Sequence, residues 1–501
     1  MLLSNLDFYS AMNILGLTVI TSIAYRIIYN LYFHPLAKFH GPWYTACFSL
    51  PLAIISIRRY EYQWQRDLMK KYGRDAPIRI GPEMLLFPRP SALKEIYWDR
   101  SLNNKSTFYG TGQFGPTHLF TTLSGAEHTP LRKALGAAPW SIGDIRRDWE
   151  DRMDNQVLLF TKVMTEKAEA GESVVLSDKV AEFAADFMTM FSFGQPWGFV
   201  KNSRDEKHLL HSWRDGLDFL GFSARFTFFR KHITNIPILA PWLLPQTSND
   251  SGMGYLMKQA DIQIRAREYE ISQGLYPEKP DFLQHCLDAR IDGQPLTPIQ
   301  KRAHVTLLIQ AGADTTGTAL GSTLRFLAIT PGAFDKALDE IREAEKKNLL
   351  STPIKDEETR AHLPYLVGAV KEGLRLHPSA PNWFARLVPE EGKIIEGVFV
   401  PGGTDVTSNA MIVQRDPVLF GPDPDTFRPE RWMGEGKDVE LEHGMFVWGM
   451  GPRVCLGKDL AWMELFKLIP EVSKCFNLFF SLLEPLLYYM FRLEEGVEGE
   501  D

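Results

Sequence analysis

Ten residues near the C-terminus, Trp448-Gly449-Met450-Gly451-Pro452-Arg453-Val454-Cys455-Leu456-Gly457, constrain this 501-residue chain more than any other feature. They set one cysteine among three glycines and an arginine at fixed offsets. A thiolate is a soft, strongly donating ligand, and on the axial position of a haem iron it favours O–O cleavage. Gly449 and Gly451 allow a tight turn that aims N–H groups at the sulfur. Gly457 to Lys467 reads as a helix starting just after Cys455, whose positive end lowers a thiol pKa. Arg453 is a candidate forked donor to a haem propionate. A buried structural cysteine in a glycine-rich loop is the bland alternative, and the complete spacing argues against it.

This string resembles the haem-binding loop of the cytochrome P-450 superfamily, Phe-x-x-Gly-x-Arg-x-Cys-x-Gly, with Trp448 where the family usually has Phe. An indole there can retune the metal through its surroundings. The resemblance extends upstream in the family's order. Ala311-Gly312-Ala313-Asp314-Thr315-Thr316 lies in an apolar stretch, Pro298 to Ala328, that reads as one helix and looks like the oxygen-activation motif. Small residues at Ala311 and Gly312 leave room for O₂. Asp314 and Thr315 are the candidate catalytic pair, delivering protons to bound oxygen, and a mid-helix threonine often accompanies a bend. Alone, the stretch would read as a buried helix with Thr-Thr facing the core.

Glu372-Gly373-Leu374-Arg375 puts opposite charges at i and i+3 of a helix. The resemblance implies that this pair is buried and joined by Arg431, from Phe427-Arg428-Pro429-Glu430-Arg431-Trp432, as a structural triad. It further implies that Arg386, and the i,i+4 pair His128 and Arg132, meet the haem propionates, His128 replacing the usual tryptophan donor; His128 reads equally as an ordinary surface residue. Phe108 to Phe120 and Leu217 to Phe229, rich in aromatics, resemble segments lining the family's substrate cavity.

Length alone suggests about three domains, yet these landmarks converge on one site from residue 128 to 457. Hydrophobic content of 45% permits a large core, and the net charge of −7 argues against a nucleic-acid binder. Cys47, Cys286, Cys455 and Cys475 are too dispersed for a zinc cluster and do not resemble a disulfide framework. Helical patterns (Glu150 to Ala170, Tyr255 to Ser272, Pro331 to Lys347) outnumber extended runs (Ala76 to Phe87, Lys393 to Val406). The expected fold is mainly α with a small β subdomain, the cytochrome P-450 fold, preceded by an N-terminal transmembrane helix.

Phe8 to Tyr25 carries no charge and meets the minimum for a membrane span, with an interfacial amphipathic helix as the alternative. Arg26 and Lys38 follow it and only Asp7 precedes it, so the positive-inside rule places the catalytic body in the cytoplasm. The resulting division is an anchor at 1–34, a proline-containing hinge at 35–45 and a haem-binding catalytic domain at 46–501. Asn235 to Pro245, apolar and broken by prolines, reads as a further lipid contact. After about Leu478 the family's terminal strand pair is not recognisable.

The resemblance implies a haem-dependent monooxygenase of the endoplasmic reticulum membrane, most like fungal secondary-metabolite and pisatin demethylase-like members. Its cofactor would be heme b on the Cys455 thiolate. Electrons would come from NADPH through a separate cytochrome P-450 reductase, with cytochrome b5 as a second donor, and the substrate would be an apolar small molecule. Two rivals stay open: a haem-thiolate isomerase or dehydratase that does not use O₂, against which Asp314-Thr315 argues, and a haem-binding protein whose catalysis has decayed.

Overall fold

The computed structural model describes residues 8–110, 115–136 and 140–492, the side chains of Phe8, Ala11, Gln310 and 476–492 excepted. The chain opens with α1 (Phe8–Ile28), the one helix among the described residues long and apolar enough to cross a membrane; the span runs to Phe33. Its side chains stand almost wholly clear of the protein body. The base of this segment is nonetheless fixed. Arg79 donates from Nη1 to the Asn30 carbonyl (2.7 Å) and from Nη2 to Asn30 Oδ1 (3.0 Å), both residues being buried. The stretch that follows is held by the same residue, the Arg79 N–H donating to the His40 carbonyl at 2.8 Å.

The body is helical, and its long elements are α2 (Gly125–Leu135), α3 (Ile142–Glu169), α4 (Leu176–Phe193), α5 (Leu209–Arg225), α6 (Gly252–Ser272), α7 (Pro298–Ile329), α8 (Ala333–Lys346), α9 (Pro364–Leu376) and α10 (Lys458–Arg492). At 32 residues α7 is roughly 48 Å long and forms the spine. Its start is written in the sequence. Pro298 occupies the first turn, Thr297 Oγ1 accepts from the Gln300 N–H (3.2 Å), and Gln300 Oε1 accepts from the Thr297 N–H (2.9 Å). Against α7 packs α4, buried along nearly its whole length, and the principal core is the apolar mass joining these two helices to α3, α9 and α10.

A four-stranded sheet sits apart from this bundle: β1 (Ile78–Gly81), β2 (Met84–Leu86), β3 (Arg386–Leu387) and β4 (Asp405–Thr407), in the order β1-β2-β4-β3. β2 pairs with β4 in parallel, Leu85 opposite Val406, and β3 pairs antiparallel, Arg386 opposite Val406. This pairing carries Arg386 from a distant part of the chain to the edge of the haem-loop region. The mainly α fold with a small β part is thus as expected. Where the resemblance implies a strand pair after residue 478, α10 instead continues as helix to Arg492.

Candidate active site

Cys455 stands in a loop whose shape depends on glycine at two positions. Gly449 and Gly451 have φ of +66° and +69°, a region costly for other residues. A Cβ on Gly451 would lie 2.0 Å from the Tyr97 carbonyl oxygen, so that position excludes any side chain, whereas a Cβ on Gly449 meets nothing closer than 3.7 Å. The Gly449 N–H donates to Phe446 O (2.9 Å) and the Cys455 N–H to Trp448 O (2.8 Å), closing the loop. Helix α10 begins three residues after the cysteine. Burial pushes the Cys455 thiol up, while the Gly457 N–H, Arg132 and Lys458 pull it back. Its side chain is open to space yet surrounded by protein, because that space is an internal cavity.

The cavity has a volume of about 640 Å³, within the range for a small-molecule site. On its wall the structure brings together Cys455, Arg453, Trp448 and Gly449 from the loop, His128 and Arg132 from α2, Arg386 from β3, and Ala311, Gly312, Asp314 and Thr315 from α7. Gly451 lies behind the loop, and Glu372, Arg375 and Arg431 lie away from the wall.

Positive charge is concentrated here without a counter-charge. Arg132, Arg386 and Arg453 gather near one another with Lys105, and among the described residues none of the four is ion-paired with a carboxylate. Arg386 is buried over the Tyr97 ring (5.3 Å), with Nε and Nη1 lacking any hydrogen-bond partner. Lys105 donates to Phe120 O (2.5 Å) and lies 4.2 Å from the Tyr109 and Phe120 ring centres; burial, Arg386 and Arg453 hold its ammonium well below its usual range. Arg453 is committed to protein, donating to Thr122 O (2.6 Å), Asn103 O (3.0 Å), Leu123 O (3.1 Å) and Asn103 Oδ1 (3.2 Å). Burial and Arg386 lower its pKa to about 9. Arg132 donates to Val454 O at 2.8 Å, beside the cysteine. Burial, then Arg453 and Lys105, lower the His128 pKa to about 3, leaving a neutral imidazole able to donate. A thiol and orphaned guanidinium N–H groups on one largely apolar wall suit a planar metallocycle with acidic side arms, so the residues present fit a haem.

On α7 the helix runs without a break through Ala311 to Thr316. The Thr315 hydroxyl donates to Ala311 O at 2.6 Å, satisfying itself within the ladder. Gly312 is explained by packing: a Cβ there would meet Met188 Sδ of α4 at 2.1 Å. Asp314 turns toward α5, accepting from Trp213 Nε1 and Arg214 Nε, each at 3.4 Å, and Arg214 also reaches Asp178 at 3.2 Å. The carboxylate therefore stands between the cavity and a partly exposed arginine.

Away from the wall, Glu372 is fully buried and accepts five hydrogen bonds. They come from Arg375 Nη2 (2.7 Å) and Nε (2.8 Å), Trp432 Nε1 (2.8 Å), Arg431 Nε (3.2 Å) and the Arg428 N–H (3.2 Å). Arg375 also donates to Gln414 O and Pro424 O, and Arg431 to Phe420 O and Asp423. This network ties α9 to the loop before the haem motif.

Lys105 and Glu464 are polar wall residues that the sequence reading did not single out, and His118 was marked only by its place in the Phe108 to Phe120 stretch. Glu464 is buried with Oε2 unpartnered, and burial raises its pKa well above the usual carboxyl range. Nothing in the local sequence of Lys105 or Glu464 marks them; tertiary folding brings them to the cavity.

The profile of the family described as cytochrome P-450 matches residues 49–485. The cytochrome P-450 monooxygenase aba1 of Botryotinia fuckeliana is 31% identical over 463 residues, covering 90% of this chain and 88% of that protein. Pisatin demethylase of Fusarium vanettenii is 27% identical (93% and 88% covered), and quiannulatic acid synthase of Emericella variicolor 28% (89% and 88%). The chain belongs to the cytochrome P-450 family and is an enzyme of its monooxygenase class. Membership implies haem with cysteine thiolate ligation.

Proposed function

We propose that the chain holds heme b on Cys455 and inserts one atom of O₂ into an apolar small molecule. The observation that carries this is the single cavity shared by Cys455, the unneutralised basic cluster and the Ala311–Thr315 turn of α7. Bound haem supplies oxygen activation and the oxidising power; the protein contributes binding, orientation and proton supply. Arg386, His128 and Arg132 meet the propionates, Arg386 bringing two free donors. Arg453 pins the loop to the segment around Asn103 and Thr122 and adds positive charge. Trp448 packs beside Trp462 (ring centres 5.4 Å apart) and supports the sulfur's surroundings.

Thr315 is positioned to hand on a proton once its hydroxyl rotates away from Ala311 O, and Asp314 resupplies it along the Arg214 side. Glu372, Arg375 and Arg431 hold the scaffold behind the loop. Electrons come from NADPH through a separate reductase, with cytochrome b5 as an auxiliary donor. The substrate belongs to fungal secondary metabolism (a terpenoid, polyketide or alkaloid), a reading supported by the names of the relatives above. Residues 1–34 anchor the chain in the endoplasmic reticulum membrane, 35–45 form the hinge, and 46–501 form the cytoplasmic catalytic domain. The charge asymmetry of Arg26 and Lys38 supports that orientation. In the test, the reduced, carbon monoxide-bound protein gives the red-shifted Soret band of thiolate-ligated haem, and Cys455→Ala abolishes it. A thiolate spectrum surviving in that variant refutes the assignment.

A further inference from the structure

Trp448 links the haem loop to a second indole that reaches outside the cavity. It lies on the cavity wall, and its carbonyl accepts the Cys455 N–H at 2.8 Å, one hydrogen bond from the candidate iron ligand. Its ring centre is 5.4 Å from that of Trp462, with the planes 51° apart, the spacing of a packed aromatic pair. Trp462 belongs to the first turns of α10, is partly exposed, and is not on the cavity wall, so its open surface lies elsewhere. The next ring is Phe466, 5.0 Å from Trp462 and fully buried.

Indole is the most readily oxidised of the uncharged aromatic side chains, whereas phenyl is inert under the same conditions. The two tryptophans therefore make a redox path that starts beside Cys455 and stops at Trp462, because Phe466 cannot carry a charge onward. A phenyl ring at 448 would break that path at its first step. Other oxidisable rings on the wall are worse placed. Trp140 is buried, and its ring neighbours among the described residues are phenyls, Phe191 at 4.9 Å and Phe282 at 5.5 Å. Tyr97 and Tyr109 are buried phenols that must shed a proton when oxidised. Tyr109 donates to Trp383 O (3.3 Å) and Tyr97 accepts from the Ser408 N–H (2.9 Å), neither partner being a base. Trp213 of α5, on the wall and partly exposed, is the competing indole, and it stands against Asp314 of α7 and not in the Cys455 loop.

Resting on the haem reading above, we propose that Trp448 and Trp462 form a relay that carries oxidising equivalents from the haem site to the surface when no substrate receives them. One electron leaves the Trp448 indole for haem left over-oxidised by peroxide, and one leaves Trp462 to refill Trp448. Trp462 gives its Nε1 proton to water. A water-soluble donor of the ascorbate class then returns one electron to Trp462, and the proton comes back from water. Over two passes one hydrogen peroxide gains two electrons and two protons to become two waters, and two donor molecules each lose one electron and one proton. The chain is thereby a peroxidase toward small reductants that never enter the cavity.

The full-length holoprotein in detergent is first reduced under carbon monoxide. Absence of the thiolate spectrum fails the haem reading and this proposal with it, whereas the later outcomes bear on the relay alone. Ferric holoprotein carrying ring-deuterated tryptophan is mixed with hydrogen peroxide without substrate, frozen rapidly and examined by electron paramagnetic resonance. The parent gives an indole radical whose splitting follows the label and which ascorbate removes. Trp448→Phe loses that radical. In Trp462→Phe any radical stays on Trp448, and ascorbate no longer removes it. Both variants lose peroxide-driven ascorbate oxidation, and their Soret bands bleach faster in peroxide. Trp462→Tyr, used also if the Phe variant does not fold, converts the signal to a phenoxyl one and keeps part of the ascorbate oxidation. Trp140→Phe and Trp213→Phe behave as the parent. The proposal is overturned by the absence of an indole radical in the parent, or by its survival in Trp448→Phe. Ascorbate oxidation at the parent rate in Trp462→Phe overturns it too, as does loss of the radical in Trp140→Phe or Trp213→Phe.

Discussion

Replacing Glu372 by Gln tests whether the buried charge network holds the scaffold behind the haem loop. The substitution keeps the shape and one oxygen, and removes the negative charge that Arg375 and Arg431 share in a fully buried site. If the amide nitrogen takes the place of Oε2, it confronts two donors, Arg375 Nε and Trp432 Nε1, each at 2.8 Å. If it takes the place of Oε1, it confronts three. Neither orientation satisfies the donors; Arg375 loses its counter-charge and Arg431 is left with Asp423 alone. Breaking a buried pair in this way costs about 3–5 kcal/mol. The control is Glu440→Gln, whose partner Lys437 and own carboxylate are both more than half exposed, so its loss costs below about 1 kcal/mol. Urea unfolding of detergent-solubilised holoprotein, with recovery on dilution checked, measures both variants against the parent. Haem retention is followed in parallel. A Glu372→Gln loss no larger than that of Glu440→Gln would refute the reasoning, since the network would then be ornamental.

Two glycine substitutions separate backbone conformation from close contact. Gly449→Ala should cost about 1–2 kcal/mol, the penalty for a left-handed residue with open space around it. Gly451→Ala adds a clash with Tyr97 O and should abolish the thiolate spectrum; equal effects in the carbon monoxide assay would contradict the loop geometry. Thr315→Ala should leave haem and substrate binding intact while product formation per NADPH falls by about 10²-fold, the lower end of acid–base contributions. Unchanged coupling of NADPH use to product would exclude the proton role.

What was legible in the sequence was local chemistry at fixed spacing. The haem-loop string announced a tight turn at Gly449 and Gly451, and the apolar stretch from Pro298 announced where α7 begins. Such features depend on a residue's own backbone preferences and its neighbours within a turn, so they survive in one dimension. The i,i+3 spacing of Glu372 and Arg375 put them on one face, but whether that face met water or the core was not in the spacing. Arg431 and Trp432, 59 and 60 residues away, decided it by closing over the carboxylate. Gly312 looked like room for a ligand; it does line the cavity, and its lack of a side chain also lets Met188 of another helix pack close, which the sequence did not show. Lys105 and Glu464 carried no sequence mark, and His118 only its place in the Phe108 to Phe120 stretch. Their importance lies in what they lack inside a cavity, a counter-charge or a hydrogen-bond partner, and only the tertiary structure determines which polar groups are removed from water and left unpaired.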